Sequence, residues 1–208
     1  MIILFENKQF KYSFIANRDY EKIENSFLKN TLKALDYMSN NDLLLLTYTD
    51  KDSGQKNKFD VIDILVDDTE EPVYIKQGDK NQYNPNTNVI SFYDTHGISF
   101  RKDHKKRFTS KNMGHNSPIS LLAHEIIHCF HELYDEHNYR KRKSNKSTKG
   151  KKVTHTGHDL SFTNKEEELV IRLTNQVARK LGEDIRRNYG RGYFKVKDVL
   201  SVEKDDIA

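Results

Sequence analysis

The spacing of apolar residues changes period several times along the chain, and each change marks an element. Residues 2 to 5 and 9 to 16 read as strands, with Phe10, Tyr12 and Phe14 alternating in the second, and a turn through Glu6 to Lys8 would join them as a hairpin. Ile23, Phe27, Leu28, Leu32, Leu35 and Met38 then recur at helical spacing, between a cap at Asn17 or Asp19 and a stop at Ser39-Asn40-Asn41. Leu43 to Tyr48 and Phe59 to Val66 read as strands around the polar turn Lys51 to Lys58, and Val73 to Lys76 as another. Gly78 to Thr87 reads as loop, and Asn88 to Tyr93 as the last strand before the longest apolar stretch. On pattern alone that strand fits a sheet interior as well as a sheet edge, and an edge would let an extended peptide add itself through main-chain hydrogen bonds.

The longest apolar stretch predicts a helix. Ser117 suits its N-cap and Pro118 its first turn, and Ile119, Leu122, Ala123, Ile126, Ile127, Phe130 and Leu133 follow at three- and four-residue steps. Inside it lies His124-Glu125-Ile126-Ile127-His128. A helix turns about 100° per residue, so histidines four apart stand on one face and can offer ring nitrogens to one zinc ion. Glu125 is adjacent, within reach of a water at the metal without being a ligand. Two histidines and a glutamate in an apolar run are costly to bury without such partners. His131 and Glu132 stand a turn further on and are expected beside the ligands or facing solvent. The loop histidines His96, His104 and His115 have no ligand spacing to one another.

A last helix is predicted from Thr163-Asn164 to about Leu181. Thr163 with Glu166, or Asn164 with Glu167, has capping-box spacing, Val170, Leu173, Val177 and Leu181 form a stripe, and Gly182 is the stop. Packed against the first helix, it would bring Glu166-Glu167-Glu168 to where a third metal ligand is needed, although acidic residues in a first turn also favour the helix dipole. A catalytic zinc site takes three protein ligands and keeps one open position. The metzincin arrangement fails, because Tyr134 stands where its third histidine belongs. Glu167 is the first choice, since Val170, Ile171 and Thr174 share its helical face; Glu166, Asp135 and Asp159 are the alternatives.

Composition narrows the class. With 208 residues, 35% hydrophobic and 32% charged, the chain fits one domain, a sheet-containing half (1–116) followed by a helical metal-binding half (117–208). The expected fold class is α+β, with a small N-terminal mixed sheet. No apolar run is long enough for a membrane span, and Glu6 cuts short the apolar start of the chain, so no classical signal peptide is expected. Cys129 is the only cysteine, which excludes an intrachain disulfide and suits a small buried hydrophobe. The net charge of +4 is unevenly spread: Arg140 to Lys152 holds no acidic residue, and Arg101 to Arg107 is also basic. Residues 139–152 are accordingly expected to form a mobile basic loop.

His124 to His128, the Glu166-Glu167 pair opening a second helix, Asn175 within it and Arg186-x-x-Tyr189 beyond it together resemble the NleD-type effector zinc metalloproteases, bacterial proteins injected into host cells. More distantly they are similar to clostridial neurotoxin light chains, which share the HExxH, a downstream glutamate ligand and an Arg-x-x-Tyr pair. The resemblance runs from Ser117 to Tyr189 and does not extend to the basic insert at 139–152. It implies a zincin-like fold, one zinc ion per chain, and Arg186 and Tyr189 as stabilisers of the oxyanion. It also implies a protein substrate such as a host mitogen-activated protein kinase, and delivery to the host cytosol. On residues alone, Arg186 with Arg187 also reads as a basic helix end, and Tyr189 and Tyr193 as packing around Gly190 and Gly192.

The expected activity is therefore zinc-dependent peptide-bond hydrolysis by a monomer, with His124, His128 and Glu167 as ligands and Glu125 as general base. Two other classes fit parts of the sequence: a nucleic-acid-binding module using the basic segments, and an inactive zincin-like binding protein. The first would need zinc to be structural, and one cysteine cannot build the usual closed site, so no nucleic acid is expected as a partner.

Overall fold

The computed structural model describes residues 1–5, 9–49, 54–68, 70–103, 109–147, 162–187 and 191–205. Asp159, Tyr189, His104, the turn at 6–8 and the 148–152 part of the basic stretch lie outside the described residues. The elements in order are β1 (Ile2–Phe5), β2 (Gln9–Lys11), α1 (Ser26–Asn40), β3 (Leu45–Thr49), β4 (Lys56–Asp60), α2 (Val61–Asp67), β5 (Val73–Gln77), β6 (Gln82–Asn84) and β7 (Val89–Phe92). They continue with β8 (His96–Arg101), β9 (Met113–Asn116), α3 (Pro118–Tyr134), α4 (Glu136–Ser144), α5 (Lys165–Lys180) and β10 (Arg191–Lys195).

The fold is α+β. The main sheet is mixed, in the order β2-β1-β5-β7-β6: β1, β5 and β7 run parallel, and the two edge strands are antiparallel to their neighbours. A second antiparallel sheet has the order β10-β8-β9, and β3 with β4 forms a hairpin-like pair. One hydrophobic cluster takes Ile2, Leu4, Ile75 and Ile90 from the main sheet, Phe27 and Leu35 from α1, Ile119 and Ile126 from α3, and Val170 and Val177 from α5. Among the described residues no helix is long and apolar enough to cross a membrane.

Several boundaries differ from the pattern-based expectation, each for a local reason. The second strand ends at Lys11; the N–H of the buried Tyr12 still reaches the Ile2 carbonyl of β1 at 2.9 Å, and its hydroxyl donates to Asp36 of α1 at 3.1 Å, tying the chain to that helix. Asp19 caps only a 3-10 turn at Tyr20–Lys22, and α1 starts later, where the Asn25 side chain accepts from the Leu28 N–H at 2.7 Å. Val61 to Val66 is helix, not strand: Asp60 caps it, and Val61, Ile62 and Leu65 form its buried face. Asn88 to Tyr93 is neither an edge nor the last strand before the long helix. β7 lies between β5 and β6, and β8 and β9 follow it.

The edge is instead β6, inside the stretch expected to be loop. His96 and His115 fall in strands, the first stacked on Tyr93 and the second within 3.1 Å of the Ser99 hydroxyl. The expected loop at 139–152 is helical through Ser144.

α3 and α5 pack side by side and antiparallel, so that the end of α5 lies beside the start of α3. Gly182 takes φ +71 just past α5, and the next residue, Glu183, turns its carboxylate onto the start of α3. There it accepts from Ser120 Oγ at 2.7 Å, from Asn116 Nδ2 at 3.1 Å, from the Ser117 N–H at 3.3 Å and from the Ser117 hydroxyl. The Ser117 hydroxyl thus serves Glu183 and makes no cap bond to its own helix; the carboxylate meets the helix N-terminus in its place.

Candidate metal centre

α3 and α5 bring His124, Glu125 and His128 against Glu166 and Glu167, every one of them buried. The α5 side depends on its cap: Asn164 Oδ1 accepts the Glu167 N–H at 2.9 Å, which fixes the first turn and aims its carboxylates at α3. His124 Nε2 lies 3.4 Å from Glu167 Oε2, and His128 Nε2 lies 3.3 Å from Glu167 Oε1. One ligand atom from each of His124, His128 and Glu167 falls within 4.8 Å of the other two, and this is the group of described residues that could hold a metal ion.

Neighbouring groups orient these rings. The Thr174 hydroxyl donates to the Val170 carbonyl at 2.9 Å and stands 3.3 Å from His124 Nδ1, so it can accept the Nδ1 proton and leave Nε2 with a free lone pair. On the other side, Glu166 Oε1 is 3.4 Å from His128 Nδ1 and 2.6 Å from His131 Nδ1, and His131 Nε2 meets the Tyr48 hydroxyl at 3.0 Å. Arg142 Nε bonds the second oxygen of Glu166, while its Nη1 reaches Asp135 at 2.9 Å.

Burial alone would push the His128 imidazole down, but the carboxylates of Glu166 and Glu167 reverse this and raise it to about 9. Burial would likewise raise both glutamates, yet the facing histidines hold each well below the usual carboxylate range. His124 goes the other way, lowered chiefly by burial.

Glu125 is held by the sheet: its Oε2 accepts the Tyr83 N–H of β6 at 2.8 Å. The open edge strand therefore runs directly beside the histidines. Between β6, α3 and α4 lies a cavity of about 230 Å³, lined by His124, Glu125, His128 and Glu167 below and by Lys80 to Tyr83, Tyr139 and Lys143 around its rim. Two rim groups are buried side-chain donors with no hydrogen-bond partner among the described residues, Asn81 Nδ2 and the Tyr139 hydroxyl. The Asn81 orientation is settled by its other atom, since Oδ1 accepts the Tyr93 N–H at 3.0 Å. Burial pushes the Tyr139 phenol up, and the charges of Glu166, Glu132 and Glu167 push it further, so it keeps its proton.

Of the ligand candidates, Glu167 joins the two histidines, and Glu166 lies behind His128 bound to His131 and Arg142. Asp135 is engaged by Arg142 and by Asn138 at 2.7 Å and is not part of the group. Arg186 is buried and clipped to Asn175, its N–H donating to Oδ1 and its carbonyl accepting from Nδ2, both at 2.8 Å; it does not line the cavity. His131 is buried beside the ligands, as expected; Glu132 accepts from the Tyr83 hydroxyl at 3.1 Å. Pattern reasoning missed Tyr139, Asn81, Tyr83 and Glu183, which carry no periodic signal. Thr174, seven residues after Glu167 and so two turns along the same face, was legible as part of a facing stripe.

No protein-family model matches the chain, and no curated protein matches it either.

Proposed function

We propose that this chain is a zinc-dependent endopeptidase, with His124, His128 and Glu167 holding one zinc ion and Glu125 acting as general base. The observation that carries the reading is the burial of His124, His128 and Glu167 together, with one ligand atom from each within 4.8 Å of the other two. Glu167 approaches His128 at 3.3 Å and His124 at 3.4 Å without forming a well-aligned hydrogen bond to either, and its Oε2 has no hydrogen-bond partner among the described residues. The donor set of two imidazoles and a carboxylate also suits catalytic zinc, with a fourth position left open.

A zinc ion there supplies Lewis acidity, lowering the pKa of water and polarising a carbonyl oxygen. Glu125, fixed by the Tyr83 N–H, takes the proton from the attacking water and passes it to the departing amine nitrogen. An extended segment of substrate would lie along the open side of β6, beside the cavity. The resemblance to the NleD-type effectors suggests a host signalling kinase as that substrate.

The reading is tested by zinc per chain in chelator-free protein, measured beside His124→Ala, together with cleavage of a randomised peptide library. One zinc that disappears in the variant, with cleavage by the parent, is the expected result. Folded, metal-replete protein with no zinc rejects the reading.

A further inference from the structure

Two tyrosines line the cavity, and only one has its hydroxyl committed. The Tyr83 hydroxyl lies 3.1 Å from Asn88 Oδ1 and 3.1 Å from Glu132, both of which line a separate depression. Tyr139 is 3% exposed, and its hydroxyl has no hydrogen-bond partner among the described residues. A buried phenol without a partner is destabilising, so a fold that retains one at a cavity wall calls for an acceptor that arrives with the ligand.

α4 holds that phenol firmly. Its backbone N–H donates to the Asp135 carbonyl at 2.8 Å, where the chain passes from α3 into α4. Three residues on, Arg142 ties α4 to Glu166, the immediate neighbour of Glu167; four residues on, the Lys143 ammonium sits 5.7 Å from the centre of the tyrosine ring. The ring is thus clamped on the wall shared with His124, Glu125, His128 and Glu167.

We infer that Tyr139 is a catalytic hydrogen-bond donor, whose hydroxyl binds the substrate carbonyl oxygen as that oxygen gains negative charge during peptide-bond hydrolysis. The inference rests on the peptidase reading and adds to it a residue and a role. Water oxygen bonds to the carbonyl carbon, the C–N bond breaks, and the water's proton goes through Glu125 to the amine nitrogen. Tyr139 forms no covalent bond and keeps its proton throughout. A donor aimed at developing charge binds the transition state more tightly than the substrate, which raises turnover more than affinity.

The test is Tyr139→Phe in the zinc-loaded full chain. A randomised quenched-fluorescence peptide library supplies the best-cleaved peptide, whose phosphonate analogue mimics the tetrahedral intermediate. The variant loses only a partnerless hydroxyl, so it folds with equal or higher melting temperature. Zinc affinity, read by competition with a chromophoric chelator, and KM stay within about twofold, while kcat falls about 10²–10³-fold and phosphonate affinity falls in parallel. An unchanged kcat overturns the inference alone. So does a loss of zinc affinity that accounts for the whole drop, because Tyr139 would then merely position Glu167. A wild-type protein that cleaves no library member overturns the peptidase reading and this inference with it.

Discussion

The floor of the cavity and its rim are built by different means. The floor is two long helices whose side chains repeat every three or four residues, so His124, Glu125 and His128 from α3 and Glu166 and Glu167 from α5 are placed by regular geometry. The rim is a three-residue edge strand with the residue before it and one short polar helix, each contributing single residues: Tyr83 of the strand through its N–H, Asn81 just before the strand and Tyr139 of the helix through side chains. Most floor groups meet partners on the neighbouring helix, whereas two rim donors meet none among the described residues. On the proposed reading the difference separates two tasks: a metal needs fixed ligands at fixed spacing, and a substrate needs groups held ready for it.

The comparison breaks most completely if the floor loses a ligand. Glu167→Ala or His128→Ala is expected to abolish zinc binding and turnover together, measured by elemental analysis and peptide cleavage. Zinc at 1,000 times its Kd stabilises a fold that binds it by about 4 kcal/mol, so the parent should also melt well above either variant in zinc and alongside them in chelator. A variant that still holds one zinc would move the third ligand elsewhere.

Glu125→Gln separates chemistry from binding on the same floor. The amide keeps nearly the shape of the carboxylate and cannot take the proton, so zinc content should be unchanged while kcat falls about 10²–10⁴-fold. Preserved turnover would remove Glu125 from its role and leave it as the group that merely pins β6.

Next in size is Glu166→Gln. Glu166 touches His128, His131 and Arg142 and is fully buried, so the neutral amide keeps the shape and loses the charge that orients the His128 ring. Partners of this kind typically contribute 10–100-fold to metal affinity, and a loss in that range is expected with zinc still reaching one per chain at saturation. A complete loss of zinc would instead promote Glu166 to ligand.

The same division decides what could be read beforehand. α5 was legible from Asn164 to Gly182 because cap, acidic first turn, apolar stripe and glycine stop all agree. The site floor followed, since the HExxH spacing needs only a helix. α2 was misread because Val61 to Val66 is a short apolar run that fits a buried strand as well as a helix, and only the Asp60 cap decides it. β6 was invisible because Gln82-Tyr83-Asn84 lacks strand composition and is formed by pairing with β7. Residues 139–152 read as loop because charge surrounds Tyr139, the sole buried residue of α4. Arg142 reaching back to Glu166 and Asp135 is long-range information that no local pattern carries.

The smallest effect sharpens the comparison by removing caps of the same chemistry near the site and away from it. Asn164 caps α5 by accepting the N–H of Glu167 itself, at 2.9 Å, whereas Asp60 caps α2 through the Asp63 N–H at 3.3 Å, with no contact to the metal group. Alanine at either position should cost about 1 kcal/mol, read as a drop of a few degrees in melting temperature. Only Asn164→Ala should also weaken zinc, by a few-fold, because fraying the first turn of α5 lets the ligand carboxylate wander while α2 has no ligand to release. Equal zinc affinity in the two variants would mean that Arg142, His131 and the α3 contacts hold that turn without its cap. In that case the floor owes its precision to cross-helix bonding, and local sequence signals such as the cap report the element without positioning the ligand.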